Sequence, residues 1–157
     1  MADSLFLKIS NWRPWRLEKP LRSAYERRAQ AGQRGELAAE KFLYKKGHRI
    51  LHRNLRNPAG EIDLITEHQR TIVFVEVKTR AEDSPHDGLE AVDATKRMQI
   101  CRTAAYYLSE YREKIVARFD VVVVSDGLNG TIVTHYPDAY KPEGATEDVS
   151  LAVASPL

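Results

Sequence analysis

A chain of 157 residues is long enough for one domain with its own core, and 43% hydrophobic against 29% charged residues is an ordinary soluble composition. No apolar run approaches the roughly 20 residues that cross a bilayer, and the opening MADSLFLKIS has too short an apolar core for a signal peptide. Cys101, the single cysteine, excludes an internal disulfide and points to a reducing, cytoplasmic setting.

Residues 1–28 lack steady periodicity and are read as a basic, flexible arm. Residues 1–34 hold eight Lys/Arg against Asp3, Glu18 and Glu26, a net +5 that suits a polyanionic partner or a solvated tail. Trp12 and Trp15 stand among Arg13 and Arg16. Such groups can stack on bases and touch phosphates, or pack on their own domain.

From residue 29 to 136 the pattern is that of a folded domain. Residues 30–46 read as a helix with Leu37, Ala38, Phe42 and Leu43 on one face and Gly47 just past its end. Residues 49–56 read as a strand, 57–60 as a turn, and 61–66 and 71–80 as two further strands. Residues 81–92 read as a loop. A second helix is predicted over 94–114, with Cys101, Ala104, Ala105, Leu108 and Tyr111 as its apolar stripe. RFDVVVVS, 118–125, is an apolar run that suits a strand covered on both faces. TIVTHY, 131–136, reads as an edge strand and so as a surface for a homodimer. Residues 137–157, rich in Pro, Gly, Ala and acids, read as an acidic disordered tail. The order α-β-β-β-α-β-β gives a mixed sheet flanked by helices.

Chemistry is signalled by VFVEVKTR, 73–80, where Glu76 and Lys78 share one face of an apolar strand. A buried charge there must be paired, hydrogen-bonded or bound to a metal. Pairing 61–66 with 71–80 as a hairpin, Glu67 opposite Ile72, leaves a loop from His68 to Thr71. It sets Asp63 opposite Glu76, with Cβ atoms about 5 Å apart, and Lys78 two residues on along the same face. A slip by one residue would part the two acids. Two carboxylates this close repel unless a positive group lies between them. Mg²⁺ or Mn²⁺ suits such a pair, because Mg²⁺ accepts one or two carboxylates and keeps its waters. Lys78 would then orient or activate water or stabilise developing charge. The alternative is an Asp63–Lys78–Glu76 salt-bridge cluster without chemistry.

The Asp63, Glu76 and Lys78 spacing, after a helix bearing a glutamate, resembles the PD-(D/E)xK nuclease superfamily, which includes restriction endonucleases and Holliday-junction resolvases. More closely, GQRGELAAEKFL, GHRILHRNLR, GEIDLI, VFVEVKTR and RFDVVVV, in that order, resemble the YraN-type family of small bacterial proteins over roughly residues 30–125. The resemblance implies an α/β, restriction-endonuclease-like α-β-β-β-α-β core and nucleic-acid binding. Carried over by position, it makes Asp63, Glu76 and Glu36 metal ligands and Lys78 the catalytic lysine. Glu40, one turn beyond Glu36, is the rival helix carboxylate. Ile62 stands where the superfamily often has proline, and Glu61 is an extra acid, either a ligand or a turn residue.

Around the site, Arg80, Lys96, Arg97, Gln99, Asn54 and Arg56 are candidate nucleic-acid contacts. Lys96, Arg97 and Gln99 open the second helix, whose N-terminus favours phosphate. The five histidines, His48, His52, His68, His86 and His135, show no zinc-like spacing. The function expected is metal-dependent binding of DNA and hydrolysis of its phosphodiester bonds in branched or flapped structures, with a catalytically weak or inactive nucleic-acid-binding module of the same fold, acting in DNA repair, uptake or recombination, as the alternative.

Overall fold

The computed structural model describes residues 23–81, 92–111, 115–127, 130–142 and 150–151. The Trp12–Trp15 stretch, His86 and most of the expected 81–92 loop lie outside them. Helix α1 (Ala24–Lys45) leads into β1 (Arg49–Asn57), β2 (Gly60–His68) and β3 (Thr71–Ala81). Helix α2 (Ala94–Leu108) then crosses to β4 (Ile115–Gly127), followed by β5 (Gly130–Tyr140) and the short β6 (Ser150–Leu151). The sheet runs β1-β2-β3-β4-β5, with β6 paired to the start of β4. β3 and β4 are parallel, as a connection through a helix requires, and the other neighbours are antiparallel. This is the mixed, helix-flanked α/β core that the element order predicts. No helix among the described residues is long and apolar enough to cross a membrane.

Each helix covers one face of the sheet. Ala39 and Leu43 of α1 pack with Leu64, Val73, Val75, Val122 and Val124. Ile100, Ala104, Tyr107 and Leu108 of α2 pack with Ile65, Phe74, Phe119 and Val121. The VVVV run of β4 is thus shared between two cores, which is why it alternates with no polar face. On β3 the even positions follow Phe74 toward α2 and the odd positions follow Val75 toward α1.

Several boundaries differ from expectation. Helix α1 begins at Ala24 rather than 30, because Ser23 and Glu26 form a reciprocal capping box. Residues 24–28, expected in the arm, are therefore helical. Its buried residues are Gly35, Ala39 and Leu43, while Leu37 lies exposed. Helix α2 ends at Leu108, and its buried face runs through Ile100, Thr103, Ala104, Tyr107 and Leu108. Cys101 and Ala105 are half-buried and Tyr111 is exposed. The β2–β3 hairpin closes more tightly than a four-residue loop, because His68 pairs with Thr71. Only Gln69 and Arg70 turn the chain, at φ 50° and 63°. Strand β5 also outruns its expected end at 136, passing through Pro137 to Tyr140. Proline is tolerated on an edge strand. Asp138 turns at φ 49° where the β4–β5 register shifts, and Tyr140 then stacks on Phe119 at 5.3 Å. The first residues of the expected tail are therefore part of the core.

Candidate active site

The β2–β3 ladder follows the expected register from His68–Thr71 through Ile65–Phe74 to Leu64–Val75. There the regular pairing stops, one pair short of Asp63 and Glu76. Instead of sitting in a ladder, Asp63 uses its side chain: Oδ2 accepts the Val77 N–H at 2.7 Å. Burial pushes the Asp63 carboxyl up to about 6, the Glu76 charge adds to the rise, and the Val77 N–H and Lys96 work against it.

Glu76 is 3% exposed. Its Oε1 accepts Lys78 Nζ at 2.6 Å, and Lys96 Nζ stands 3.5 Å from Oε2. Oε2 is buried and accepts no hydrogen bond from the described residues. Glu76 therefore lies between two lysines, one from its own strand and one from the first turn of α2. Asp93 caps that turn, its side chain accepting the Lys96 N–H at 2.8 Å.

The helix carboxylates separate clearly. Arg53 holds Glu40 through two bonds of 2.7 Å, which keep its carboxyl below the usual range. Among the described residues, Glu36 Oε2 accepts a neutral donor, Asn54 Nδ2 at 3.1 Å, and its charge helps raise Asp63. Glu36 is thus the helix acid within electrostatic reach of the site. A pocket of about 180 Å³ between α1 and β1 is lined by Glu36, Glu40, Arg53 and Asn54. Asn54 adopts φ 49°, a left-handed angle that asparagine accepts more readily than most residues.

Of the other residues predicted for this site, Lys96 joins it directly. Arg80 is half-buried two positions beyond Lys78 on β3. Arg97 turns elsewhere, its Nε donating to the Val92 carbonyl at 2.7 Å and its guanidinium lying over the Tyr140 ring. Gln99 lies over Gly60, which adopts φ 148°, an angle open to glycine and rare for other residues. Arg56 pairs with Glu61 at 3.3 Å on the surface, which ties Glu61 to the β1–β2 turn.

The donor set limits what the site can hold. Among the described residues no three His, Cys, Asp or Glu side chains are arranged to bind a metal. Glu36 acts on Asp63 through its charge without forming a three-acid group with Asp63 and Glu76 among the described residues. A hard divalent cation nonetheless fits the two acids, which would take one or two of its positions and leave the others to water or phosphate oxygens. The undonated Glu76 Oε2 is the observation that favours such an occupant.

A second buried polar cluster gives no sign of itself in sequence spacing. His48 stacks on His68 at 4.3 Å and lies edge-on to His135 at 5.9 Å. Asp120, 0% exposed, accepts His135 Nε2 at 2.8 Å, Arg118 Nε at 2.9 Å and the Asp138 N–H at 2.9 Å. Asp120 could have been singled out by the reasoning applied to Glu76, since it too is an acid inside a buried apolar strand. Every partner needed to neutralise it is present, so it is a structural tie.

Comparison with known proteins adds a family. The profile described as "Uncharacterised protein family UPF0102" matches residues 35–124, from the buried Gly35 of α1 to the core of β4. A UPF0102 protein of Syntrophotalea carbinolica is 42% identical over 118 residues, covering 74% of this chain and 96% of the relative. One from Prosthecochloris aestuarii is 44% identical over 119 residues, covering 71% and 94%. One from Moorella thermoacetica is 46% identical over 98 residues, covering 62% and 82%.

Proposed function

The chain belongs to the uncharacterised protein family UPF0102, and from the site its fold builds we propose that it is a metal-dependent nuclease acting on DNA, on branched or flapped structures. The observation that carries this reading is Glu76. It is a buried carboxylate in an apolar sheet, bonded to Lys78 through one oxygen, with its other buried oxygen undonated and Asp63 within electrostatic reach. The Lys96 ammonium stands 3.5 Å from that oxygen without hydrogen-bonding it, so the buried carboxylate is only partly satisfied, and a cation would complete its coordination.

Asp63 and Glu76 would hold Mg²⁺ or Mn²⁺, which when bound supplies the Lewis acidity that makes a phosphodiester electrophilic. The chain's own residues do the rest. The Val77 N–H fixes one oxygen of Asp63 at the residue next to Glu76. Lys78 lies where an ammonium can orient the attacking water and stabilise charge developing on the phosphoryl oxygens. Lys96 and Arg80 extend the positive charge toward flanking phosphates. Glu36, held by Asn54, is a further carboxylate that a second cation or an ordered water would meet.

One observation favours a second reading, a binding module of the same fold without cleavage. Glu36 is turned to Asn54, and no third acid closes on the Asp63–Glu76 pair among the described residues. The two readings part on a labelled panel of single strand, duplex, flap, four-way junction and structured RNA, incubated with Mg²⁺ or Mn²⁺. Cutting of flap or junction DNA that falls at least a hundredfold in Asp63→Asn, Glu76→Gln and Lys78→Ala is the expected result. Cation-dependent binding without cutting selects the module, and cutting that survives in all three variants removes this site from consideration. A homodimer joined through the β5 edge, which two-strand cutting would use, is tested by the mass in solution.

A further inference from the structure

Lysine is an unfavourable choice at position 96. The first turn of a helix carries partial positive charge and favours acids, yet the first turn of α2 holds no acid. Lys96 nevertheless directs its ammonium to Glu76 Oε2, at 3.5 Å, from a side chain 22% exposed. The two acids at the centre of the site, Asp63 and Glu76, are thus already matched by two ammonium groups, Lys78 and Lys96, with Glu36 adding a further negative charge from α1. A divalent cation entering alone would upset that balance, because it would crowd two ammonium groups in a poorly solvated site. A phosphodiester arriving with the cation restores it, since its anionic oxygens offer the lysines a new partner.

We propose that Lys96 is a positioning residue that makes cation binding conditional on nucleic acid: it occupies Glu76 Oε2 until a substrate phosphate draws it away. This inference rests on the reading of Asp63 and Glu76 as a metal site. It goes beyond that reading in assigning coupled binding of the two ligands, with Lys96 as the group that moves between them. Lys78 does not serve this role equally. Its 2.6 Å bond is to Oε1, and it reaches Glu76 along the same strand, whereas Lys96 comes from a separate element. By linkage, the coupling is reciprocal: whatever factor DNA adds to cation affinity, the cation adds to DNA affinity.

The test measures binding of Mn²⁺ alone by titration calorimetry to the full chain, to Lys96→Met and to Lys96→Arg, with thermal melts to confirm folding. Anisotropy of a labelled flap DNA, in EDTA and in Ca²⁺, is measured on the same proteins. Removing one unit charge beside a ligand oxygen should tighten Mn²⁺ by about tenfold in Lys96→Met. Lys96→Arg, which keeps the charge, should stay within about threefold of the wild type. The gain in DNA affinity given by Ca²⁺ should be larger in the wild type than in Lys96→Met. Equal Mn²⁺ affinity in wild type and Lys96→Met, with Asp63→Asn abolishing binding in both, overturns the role of Lys96 and leaves the metal site standing. Absence of Mn²⁺ binding in every protein at millimolar cation overturns the metal site itself.

Discussion

At the scale of single residues, Asp63 shows how a site is built against stability. Its carboxyl is pushed up to about 6 by burial and by Glu76, from an ordinary 3.8. A raised carboxyl binds protons more tightly in the folded state than in the unfolded one. The resulting penalty is absent below pH 4, grows as the group ionises, and is complete above about 6. Asp63→Asn keeps an oxygen for the Val77 N–H and removes the charge. It should be more stable than the wild type at pH 8 by on the order of 1–3 kcal/mol, with the difference vanishing by pH 4. Urea unfolding at the two pH values checks this, and a variant less stable at pH 8 would mean that Asp63 is a net stabilising group. The same titration should appear in metal affinity, which ought to rise with pH through about 6 as the proton leaves Asp63.

At the scale of elements, the contact between α1 and β3 decides where Glu36 lies. Gly35 is buried, and a Cβ built on it would stand 2.1 Å from Thr79 Oγ1. Thr79 directly follows Lys78, so the helix meets the strand beside the site. Gly35→Ala gains helix propensity of about 1 kcal/mol, but the added methyl must displace the helix or the threonine, and overpacking costs about 1–3 kcal/mol. The expected net result is a modest loss of stability and displacement of Glu36 from Asp63. Adding Thr79→Ala removes Oγ1 and should restore most of the loss, so a thermal-melt cycle of the two single variants and the double variant reads the contact directly. An additive cycle would show that the two residues do not meet. The sequence signalled the helix but not this contact, because the glycine lies mid-helix and periodicity carries no information about which strand it crosses.

At the scale of the whole molecule, the histidine cluster fastens strands β2, β4 and β5 to the segment that links α1 to β1. His48 precedes β1, His68 ends β2, Arg118 and Asp120 come from β4, and His135 lies on β5. His48 bonds Thr66 Oγ1 at 2.9 Å. Burial lowers the His48 imidazole from 6.5 to about 4, helped by His68, His135 and Arg118 and opposed by Asp120. The native state thus keeps this ring neutral, and the unfolded chain takes up the proton first. Its contribution is present above pH 6.5 and is lost as pH falls toward 4, a change of up to about 3 kcal/mol. In His48→Asn, whose amide can still bond Thr66, stability should vary less with pH between 4 and 6.5 than in the wild type. Equilibrium unfolding at half-unit steps tests this, and an unchanged slope would remove His48 as the acid-sensitive group.

The sequence by itself determined the element order, the hairpin register from His68–Thr71 to Leu64–Val75, and the proximity of Asp63, Glu76 and Lys78. Alternation and turn chemistry are local, so they place Asp63, Glu76 and Lys78 once a single pair, Glu67 with Ile72, is set. The family resemblance put Glu36 forward with Glu40 as its rival, and what separates the two, Arg53 on Glu40, lies on β1. What only the tertiary structure decided depends on groups far apart in the chain. Lys96 reads as a phosphate contact at a helix start until α2 packs against β3 and brings it to Glu76. Arg97, its neighbour, reads the same way and is drawn to Val92 and Tyr140 instead. The histidines lack any ligand spacing because their meeting is set by strand order, and Tyr140 enters the core because a bulge re-aims β5 past its proline. Periodicity fixes which face a side chain takes, whereas the partner it meets there is chosen by packing between elements that the chain separates by tens of residues.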